Sequence, residues 1–284
     1  MGGDFLAQMA ASSHARAEAA RRVCSEEHML ERARAEAPAP ALGWSRGHFG
    51  IIAELKLRSP AVGALGSRAT DVAARVRAYA AAGPAAVSVL TEPERFDGEL
   101  AHLRGAAEAL APLGVPAMRK DFLVDPYQIA EARAAGAGGV LLIVRMLAQD
   151  VLETMIERAR ELGLFALLET FDAEDIARLQ AVTARVGTAG LLAGVNCRDL
   201  VTLEVVPSRL ETLAPRLPRT LPRVAESGVA NAEDARRMGA AGYDLALVGS
   251  ALMRAPDPAA LATAMKVAGA AGRKALGRQE HERP

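Results

Sequence analysis

The residues of this chain that could carry acid–base chemistry stand at the ends of short apolar runs. Glu54 and Lys56 close the first run, and residues two apart on a β-strand point the same way, so these two side chains share a face. Lys120 and Glu169 each lie near the end of a later run, and Asn196 ends the run after that of Glu169. Neighbouring ammonium and carboxylate groups shift one another's pKa, which is how proteins obtain general acids and bases. The pattern therefore indicates proton-transfer chemistry.

The scarcity of lysine draws attention to two of these positions. Of the 34 Lys and Arg residues, the only lysines are Lys56, Lys120, Lys266 and Lys274. A GC-rich coding bias explains the excess of arginine. Arg does not release its proton in a protein, whereas Lys does when its pKa is lowered, so a lysine kept in this chain is a candidate proton donor. Lys266 and Lys274 follow the last apolar run, and we expect both to be solvated.

Two turns of small residues indicate an anion site. Glu226-Ser227-Gly228 follows the seventh apolar run, and Gly249-Ser250 follows the eighth. Glycine lets backbone N–H groups approach an anion closely, serine adds a hydroxyl donor, and a helix N-terminus would contribute about half a positive charge. Each turn alone is a weak signal, but together they predict a phosphorylated substrate.

Eight apolar runs of about six residues must position these side chains. They are rich in Val, Ile and Leu, as are strands buried on both faces. The runs are Ile51–Lys56, Ala85–Thr91, Pro116–Phe122, Gly139–Val144, Phe165–Phe171, Leu191–Asn196, Pro222–Ser227 and Leu245–Ser250. Helix-like segments separate them, among them Val72–Ala82, Tyr127–Ala135, Gln149–Leu162 and Ala232–Ala241.

This order predicts an α/β protein, a (β/α)8 TIM barrel with an N-terminal helical extension. A doubly wound open sheet is the alternative, but it usually has fewer strands, and no G-x-G-x-x-G follows a strand here. In a barrel the C-terminal ends of the strands meet at one mouth, so the polar residues would converge there. Any one of them could be a structural ion pair or a surface charge, but five strand ends together are less simply explained that way.

We expect three regions along the chain. Residues 1–50 form the extension, with one helix over Phe5–Arg22 and another over Cys24–Ala35. Residues 51–270 form the catalytic barrel, and residues 271–284 form a charged, solvated tail.

The composition excludes several classes of protein. Charges balance at 34 of each sign and the pI is near 7.0, unlike a general nucleic-acid binder. The 51% hydrophobic share excludes a disordered chain, and no apolar run has the length of a transmembrane helix or the core of a signal peptide. Two cysteines make no disulfide framework, and the five histidines show no metal-ligand spacing. We therefore expect a cytoplasmic protein without a metal.

Several stretches resemble indole-3-glycerol phosphate synthase, in that family's order, between about residue 50 and residue 258. The most specific is Arg119-Lys120-Asp121-Phe122-Leu123-Val124-Asp125-Pro126-Tyr127-Gln128. The others are Ile52–Lys56 with Ser59-Pro60, Val87–Glu92, Phe96–Gly98, Asn196–Leu200, Glu226–Gly228 and Val248–Arg254. The helix over Phe5–Arg22 is similar to the family's extension before the barrel.

The resemblance implies a lyase of tryptophan biosynthesis that needs no cofactor. The family converts 1-(2-carboxyphenylamino)-1-deoxyribulose 5-phosphate to indole-3-glycerol phosphate, with loss of CO2 and water. By motif, Lys120 is the general acid at the keto oxygen, and Glu169 and Lys56 serve the dehydration as base and acid. Glu54 would orient both lysines, and Asn196 would hold the developing hydroxyl.

The resemblance also implies the substrate contacts. Arg198 and Ser59 lie near the anthranilate carboxylate, Phe96 and Phe122 surround the aromatic ring, and Glu226 belongs to the polar shell. The phosphate-binding positions are Ser227, Gly228, Gly249 and Ser250. The expected partner is a small phosphorylated molecule, with no nucleic acid and no membrane, and the chain is expected to be a monomer or a weak homodimer.

Two departures from the family pattern keep other functions open. After Ser59-Pro60 the family continues with Ser and a basic residue before Gly, whereas Ala61-Val62-Gly63 follow here. After Glu169 the family has an aliphatic residue and His, whereas Thr170-Phe171 stand here. The alternatives are a specialised paralogue acting on a modified anthranilate, a phosphoribosyl isomerase or Schiff-base aldolase sharing the phosphate site, and a non-catalytic binding barrel.

Overall fold

Eight parallel strands close into a barrel in a computed structural model, which describes residues 5–61, 63–66, 71–199, 202 and 204–281. The strands are β1 Gly50–Leu55, β2 Ala86–Leu90, β3 Ala117–Lys120, β4 Gly139–Ile143, β5 Phe165–Thr170, β6 Leu191–Asn196, β7 Arg223–Glu226 and β8 Leu245–Val248. Each strand pairs with its neighbours in sequence, and β1 closes the ring by pairing with β8 (Gly50 opposite Leu245) as well as with β2 (Ile52 opposite Ala86). This confirms the predicted (β/α)8 barrel.

The strands are buried on both faces, which is why they read as continuous apolar runs. Inside the barrel, side chains such as Ile52, Met118 and Leu167 form one apolar cluster. Outside it, side chains such as Ile51 and Val140 pack under the helices in a second cluster. Because side chains alternate along a strand, the residue two beyond each interior side chain also points inward, toward the mouth.

Two helices precede the first strand, and the others come after it. They are α1 Phe5–Val23, α2 Glu26–Ala35, α3 Val72–Ala80, α4 Pro93–Phe96, α5 Leu100–Leu110, α6 Pro126–Ala134, α7 Gln149–Glu161, α8 Ala173–Val186, α9 Ser208–Leu213, α10 Ala232–Ala241, α11 Ser250–Arg254 and α12 Pro258–His281. Local signals set several ends: Asp125 and Gln128 form a capping box at the start of α6, and Asn231 caps α10. No helix in the described ranges is both long and apolar enough to cross a membrane.

The N-terminal helices dock on the third strand–helix unit. The Tyr127 hydroxyl donates to the Cys24 carbonyl at 2.9 Å, and the Gln128 amide donates to the Ser13 hydroxyl at 2.9 Å. Arg21 pairs with Asp125 at 2.7 Å. The predicted second helix begins at Glu26 rather than Cys24 because the Ser25 hydroxyl accepts the His28 N–H and caps it.

The C-terminal segment differs from the expected solvated tail over 271–284, of which residues 282–284 lie outside the described residues. Helix α12 continues through residue 271 to His281. Arg273 pairs with Asp244 at 2.6 Å and donates to the Tyr243 carbonyl at 2.8 Å. Gly272 permits this close packing, since a Cβ there would overlap the Arg236 carbonyl oxygen of α10.

Lys266 is also not the solvated residue that the sequence suggested. Its ammonium group donates to the carbonyls of Ala82 and Gly83 at 2.9 and 2.8 Å. These carbonyls lie just beyond the end of α3, where a cation interacts favourably with the helix dipole. Lys274 is exposed, as expected.

Candidate active site

Five strand ends bring the predicted acid–base side chains to one pocket at the C-terminal mouth of the barrel. Glu54 lies two residues beyond the interior Ile52, and Glu169 two residues beyond Leu167, so strand alternation alone points both carboxylates inward. The ionisable residues Glu54, Lys56, Lys120, Glu169 and Glu226 line this pocket, together with the Asn196 amide.

Lys120 lies among carboxylates from facing strands. Its Nζ is 3.4 Å from Glu169 Oε2 and 3.9 Å from Glu226 Oε2. Asn196 Nδ2 donates to Glu169 Oε1 at 2.5 Å, and Asn196 Oδ1 accepts the Arg198 N–H at 2.9 Å. Glu169 is thereby held between an amide and an ammonium group, and the loop carrying Arg198 is tied to the same strand end.

Lys56 and Glu54 form a separate ion pair on β1, with 2.6 Å between Nζ and Oε1. The Glu54 side chain is only 3% exposed. Burial raises the pKa of Glu54, but Lys56 and Lys120 outweigh burial and leave this pKa below its ordinary value. Glu54 is therefore a fixed negative charge between the two lysines.

Lys120 and Glu226 both have raised pKa values, with different consequences for their charge. Burial lowers the pKa of Lys120, but the carboxylates of Glu169, Glu226 and Glu54 outweigh burial and raise it, so Lys120 is protonated at neutral pH. Burial, Glu169 and Glu54 raise the pKa of Glu226 well above its ordinary value. Neither carboxylate oxygen of Glu226 accepts a hydrogen bond from the described part of the chain, and the residue is 1% exposed. The site thus holds a protonated lysine beside a carboxyl group that ionises reluctantly.

The two small-residue turns line the same pocket as the lysines. Ser227 and Gly228 both have positive φ, 66° and 69°, and this costs a non-glycine residue such as Ser227 about 1–2 kcal/mol. Ser250 begins α11, directly after Gly249. A Cβ at Gly249 would overlap Glu54 Oε1, so this glycine lets β8 pass beside the acid–base cluster.

Aromatic and aliphatic side chains also line the pocket. The Phe96 and Phe122 rings lie 6.1 Å apart, and Phe5 meets Phe122 edge-on at 5.7 Å. Leu90, Ile143 and Leu247 are further apolar lining residues. The pocket therefore joins an apolar slot, an acid–base cluster and two turns suited to an anion.

The sequence comparison decides the family. The family model described as indole-3-glycerol phosphate synthase matches residues 8–265 of this chain. The chain belongs to the indole-3-glycerol phosphate synthase family.

Curated relatives of this name align over most of both chains. The indole-3-glycerol phosphate synthase of Kineococcus radiotolerans is 46% identical over 220 residues, covering 78% of this chain and 77% of the relative. That of Mycobacterium leprae is 42% identical over 254 residues, covering 88% of this chain and 90% of the relative.

Solved structures outside the family share the fold alone. The 3-hexulose-6-phosphate synthase of Salmonella typhimurium superimposes with a TM-score of 0.60 at 14% identity, covering 78% of this chain and 99% of that one. The thiamine phosphate pyrophosphorylase of Pyrococcus furiosus reaches 0.52 at 17% identity, covering 78% and 95%.

The departures from the synthase family pattern fall at the first loop and behind the pocket. Ser59 is buried in a short hairpin, Arg58–Ser59 against Gly63–Ala64, and Ala61 lines the pocket, whereas Val62 lies outside the described residues. Behind the pocket, the Arg145 guanidinium lies 4.8 Å above the Phe171 ring, and Thr170 donates to the Gly194 carbonyl at 2.6 Å. Thr170 and Phe171 therefore make packing contacts.

The structure adds Phe5 to the pocket lining, which the sequence did not suggest. Its position follows from the docking of α1, which brings a residue 117 positions before Phe122 against that ring. The sequence around Phe5 predicts a helix, but it does not indicate which part of the barrel that helix contacts. Within the described residues, no cluster of three or more His, Cys, Asp or Glu side chains could hold a metal ion.

Proposed function

We propose that this protein is an indole-3-glycerol phosphate synthase acting on 1-(2-carboxyphenylamino)-1-deoxyribulose 5-phosphate. The observation that carries the proposal is Lys120 held 3.4 Å from Glu169, in a pocket that is also lined by two phenylalanine rings and two small-residue turns. The substrate has the matching parts: an aromatic acid, a keto group and a phosphate. Relatives at 42% and 46% identity bear the synthase name.

Ring closure needs an acid at the keto oxygen. The aromatic carbon that bears the carboxylate attacks the keto carbon, a carbon–carbon bond forms, and the keto oxygen takes the proton of Lys120. Loss of CO2 then leaves its bonding electrons in the ring and restores aromaticity. The raised pKa of Lys120 keeps the proton available at neutral pH, and the alkoxide that it neutralises is the stronger base.

Dehydration needs an acid and a base on the same intermediate. Lys56 protonates the departing hydroxyl, and Glu169 takes the proton released when the double bond forms. Glu54, 2.6 Å from Lys56, orients the lysine. An Asn amide carries two N–H donors, and Asn196 uses one on Glu169, so the other is available to the hydroxyl.

Substrate binding divides among the remaining residues. Phe96 and Phe122 take the aromatic ring, and Arg198 with Ser59 takes its carboxylate. Glu226 borders the reacting carbons as part of the polar shell. The phosphate lies on the two turns, contacted by Ser227, Gly228, Gly249 and Ser250.

The proposal extends to the setting in which the enzyme acts. A phosphorylated substrate supports a cytoplasmic location, and balanced charges, 34 of each sign, support action without nucleic acid. We expect a monomer or weak homodimer, which sedimentation across a concentration series measures.

The test is turnover of the carboxyphenylamino ribulose phosphate by the purified protein, followed by the indole fluorescence of the product. We expect turnover by the wild type and its near-complete loss in Lys120→Ala, with circular dichroism unchanged. Turnover by Lys120→Ala at the wild-type rate would overturn the assignment of Lys120. No turnover by the wild type would overturn the function.

A further inference from the structure

The backbone that follows Lys120 is held by one buried carboxylate. Asp121 is 2% exposed and sits directly after the last residue of β3. Within the barrel it accepts hydrogen bonds from Thr91 Oγ1 at 2.7 Å, Arg119 Nη2 at 3.2 Å and the Phe122 N–H at 2.8 Å. The carboxylate therefore fixes the chain on both sides of itself, from the strand end to the Phe122 ring.

Two further hydrogen bonds to Asp121 come from outside the barrel. Arg16 of α1 donates through Nη1 to Oδ2 at 3.0 Å and through Nη2 to Oδ1 at 2.8 Å. This is a bidentate ion pair, in which a guanidinium group fixes both the position and the plane of a carboxylate. A lysine in the same place would supply the positive charge but would not fix the plane of the carboxylate.

The Arg16–Asp121 ion pair is connected to the site through the backbone of residues 120–122. Lys120 precedes Asp121 and Phe122 follows it, so a shift of the Asp121 backbone would move the proton donor and an aromatic side chain of the pocket together. We propose that Arg16 is a positioning residue, which sets the place from which Lys120 donates its proton by holding Asp121 from the N-terminal helix. The kinetic part of this inference rests on the proposed function, whereas the placement of Lys120 does not.

A second arginine on the same helix supplies a matched control. Arg21 pairs with Asp125 at 2.7 Å and so also ties α1 to the start of α6. Its partner lies five residues beyond Lys120, and Arg21 binds Glu18 at 2.8 Å as well. A role limited to anchoring the helix would give Arg16 and Arg21 equivalent effects.

The substrate-independent test is the titration of Lys120 in the free protein, measured by competitive acetylation across pH and mass spectrometry of the Lys120 peptide. The groups that face Lys120 are Glu169 from β5, Glu226 from β7 and Glu54 from β1, with Lys56 paired to Glu54. Displacement from these carboxylates lowers the pKa of Lys120. We therefore expect Arg16→Gln to shift the Lys120 titration to lower pH, Arg16→Lys to shift it part of the way, and Arg21→Gln to leave it unchanged.

The kinetic test uses the same three variants below their melting temperatures. Misplacing a catalytic group by about 1 Å costs on the order of a hundredfold, so we expect kcat to fall at least about tenfold in Arg16→Gln with a smaller change in KM. The alkaline limb of the kcat profile should move to lower pH. Arg21→Gln should keep its kcat.

Two outcomes would overturn the positioning role. One is a wild-type Lys120 titration in Arg16→Gln, and the other is an equal shift in Arg21→Gln. A shifted titration in Arg16→Gln, in a protein whose wild type turns over no substrate, would instead overturn the proposed function and support the positioning role.

Discussion

At the scale of single residues, the charge state of the cluster decides what the pocket can do. Three carboxylates face two lysines, but the carboxylates are not equivalent. Lys56 and Lys120 keep the pKa of Glu54 low, whereas burial and the nearby Glu169 raise that of Glu226. When the pKa of one carboxyl is raised and that of another is lowered, a single pocket holds both a permanent negative charge and a group that resists ionisation.

This contrast predicts different pH dependences of stability for two substitutions between pH 5 and pH 8. A raised carboxyl pKa means that the folded state holds its proton more tightly, so stability falls as pH rises above the ordinary value of 4.5. Glu226→Gln removes that cost, and we expect its melting temperature to exceed the wild type by about 2–4 °C at pH 8 and by less at pH 5.

Glu54→Gln is the matched control for this experiment. A lowered pKa gives stability that is present above the ordinary value of 4.5 and is lost only as pH falls below it, so this variant should be destabilised about equally at pH 8 and at pH 5. Melting curves of both variants at the two pH values measure the difference. A Glu226→Gln effect that is the same at both pH values, or larger at pH 5, would contradict the assignment.

At the scale of elements, the sequence predicted the strands well, because a barrel strand is buried on both faces and its sequence is therefore a continuous apolar run. The ends were less predictable. The third run was expected to reach Phe122, but β3 ends at Lys120, since the Asp121 side chain accepts the Phe122 N–H. A side chain that bonds its neighbouring backbone in this way competes with strand pairing.

The long-range contacts of the site could not be read from local patterns. The roles proposed for Lys56, Lys120 and Glu169 rest on strand position and family resemblance. Phe5 and Arg16, in contrast, contact residues more than a hundred positions away. Helix periodicity fixes which face of α1 is apolar but not which strand end that face meets.

One prediction belongs to the eighth strand and the turn that follows it. Gly249→Ala places a Cβ over Glu54 Oε1 and 2.9 Å from Lys56 Nζ, so we expect the ion pair to be displaced and kcat to fall by about tenfold or more. Gly105→Ala is the control, because no atom lies within 4 Å of its Cβ, inside helix α5. The control should keep its activity and gain about 0.5–1 kcal/mol of stability. Equal kcat values for the two variants would contradict this account of β8.

At the scale of the whole molecule, helix α12 binds to segments next to the first and last strands of the barrel. Lys266 caps α3, and Arg273 joins the segment that leads into β8. The expectation of a solvated tail was wrong for Arg273 because composition alone does not distinguish an exposed arginine from one paired with a buried aspartate across 29 residues.

We therefore expect Arg273→Ala to lower the free energy of unfolding by about 1–3 kcal/mol, since it leaves the nearly buried Asp244 without its 2.6 Å partner. The neighbouring Lys274→Ala removes an exposed charge and should change stability by no more than about 0.5 kcal/mol. Urea unfolding of both variants checks the difference. Indistinguishable urea midpoints for the two variants would show that the Arg273–Asp244 ion pair does not stabilise the protein.

The mechanism proposed above assigns the two site lysines to successive steps, with Lys120 acting before the loss of CO2 and Lys56 after it. Lys120→Arg and Lys56→Arg keep each charge and remove the transferable proton. The deciding measurement is a single turnover of carboxyl-labelled substrate, with released CO2 and indole fluorescence followed together. Lys120→Arg should release CO2 and form indole equally slowly, at least about a hundredfold below the wild type, whereas Lys56→Arg should release CO2 well before indole forms. Release of CO2 at the wild-type rate by Lys120→Arg, or simultaneous CO2 and indole in Lys56→Arg, would contradict the account.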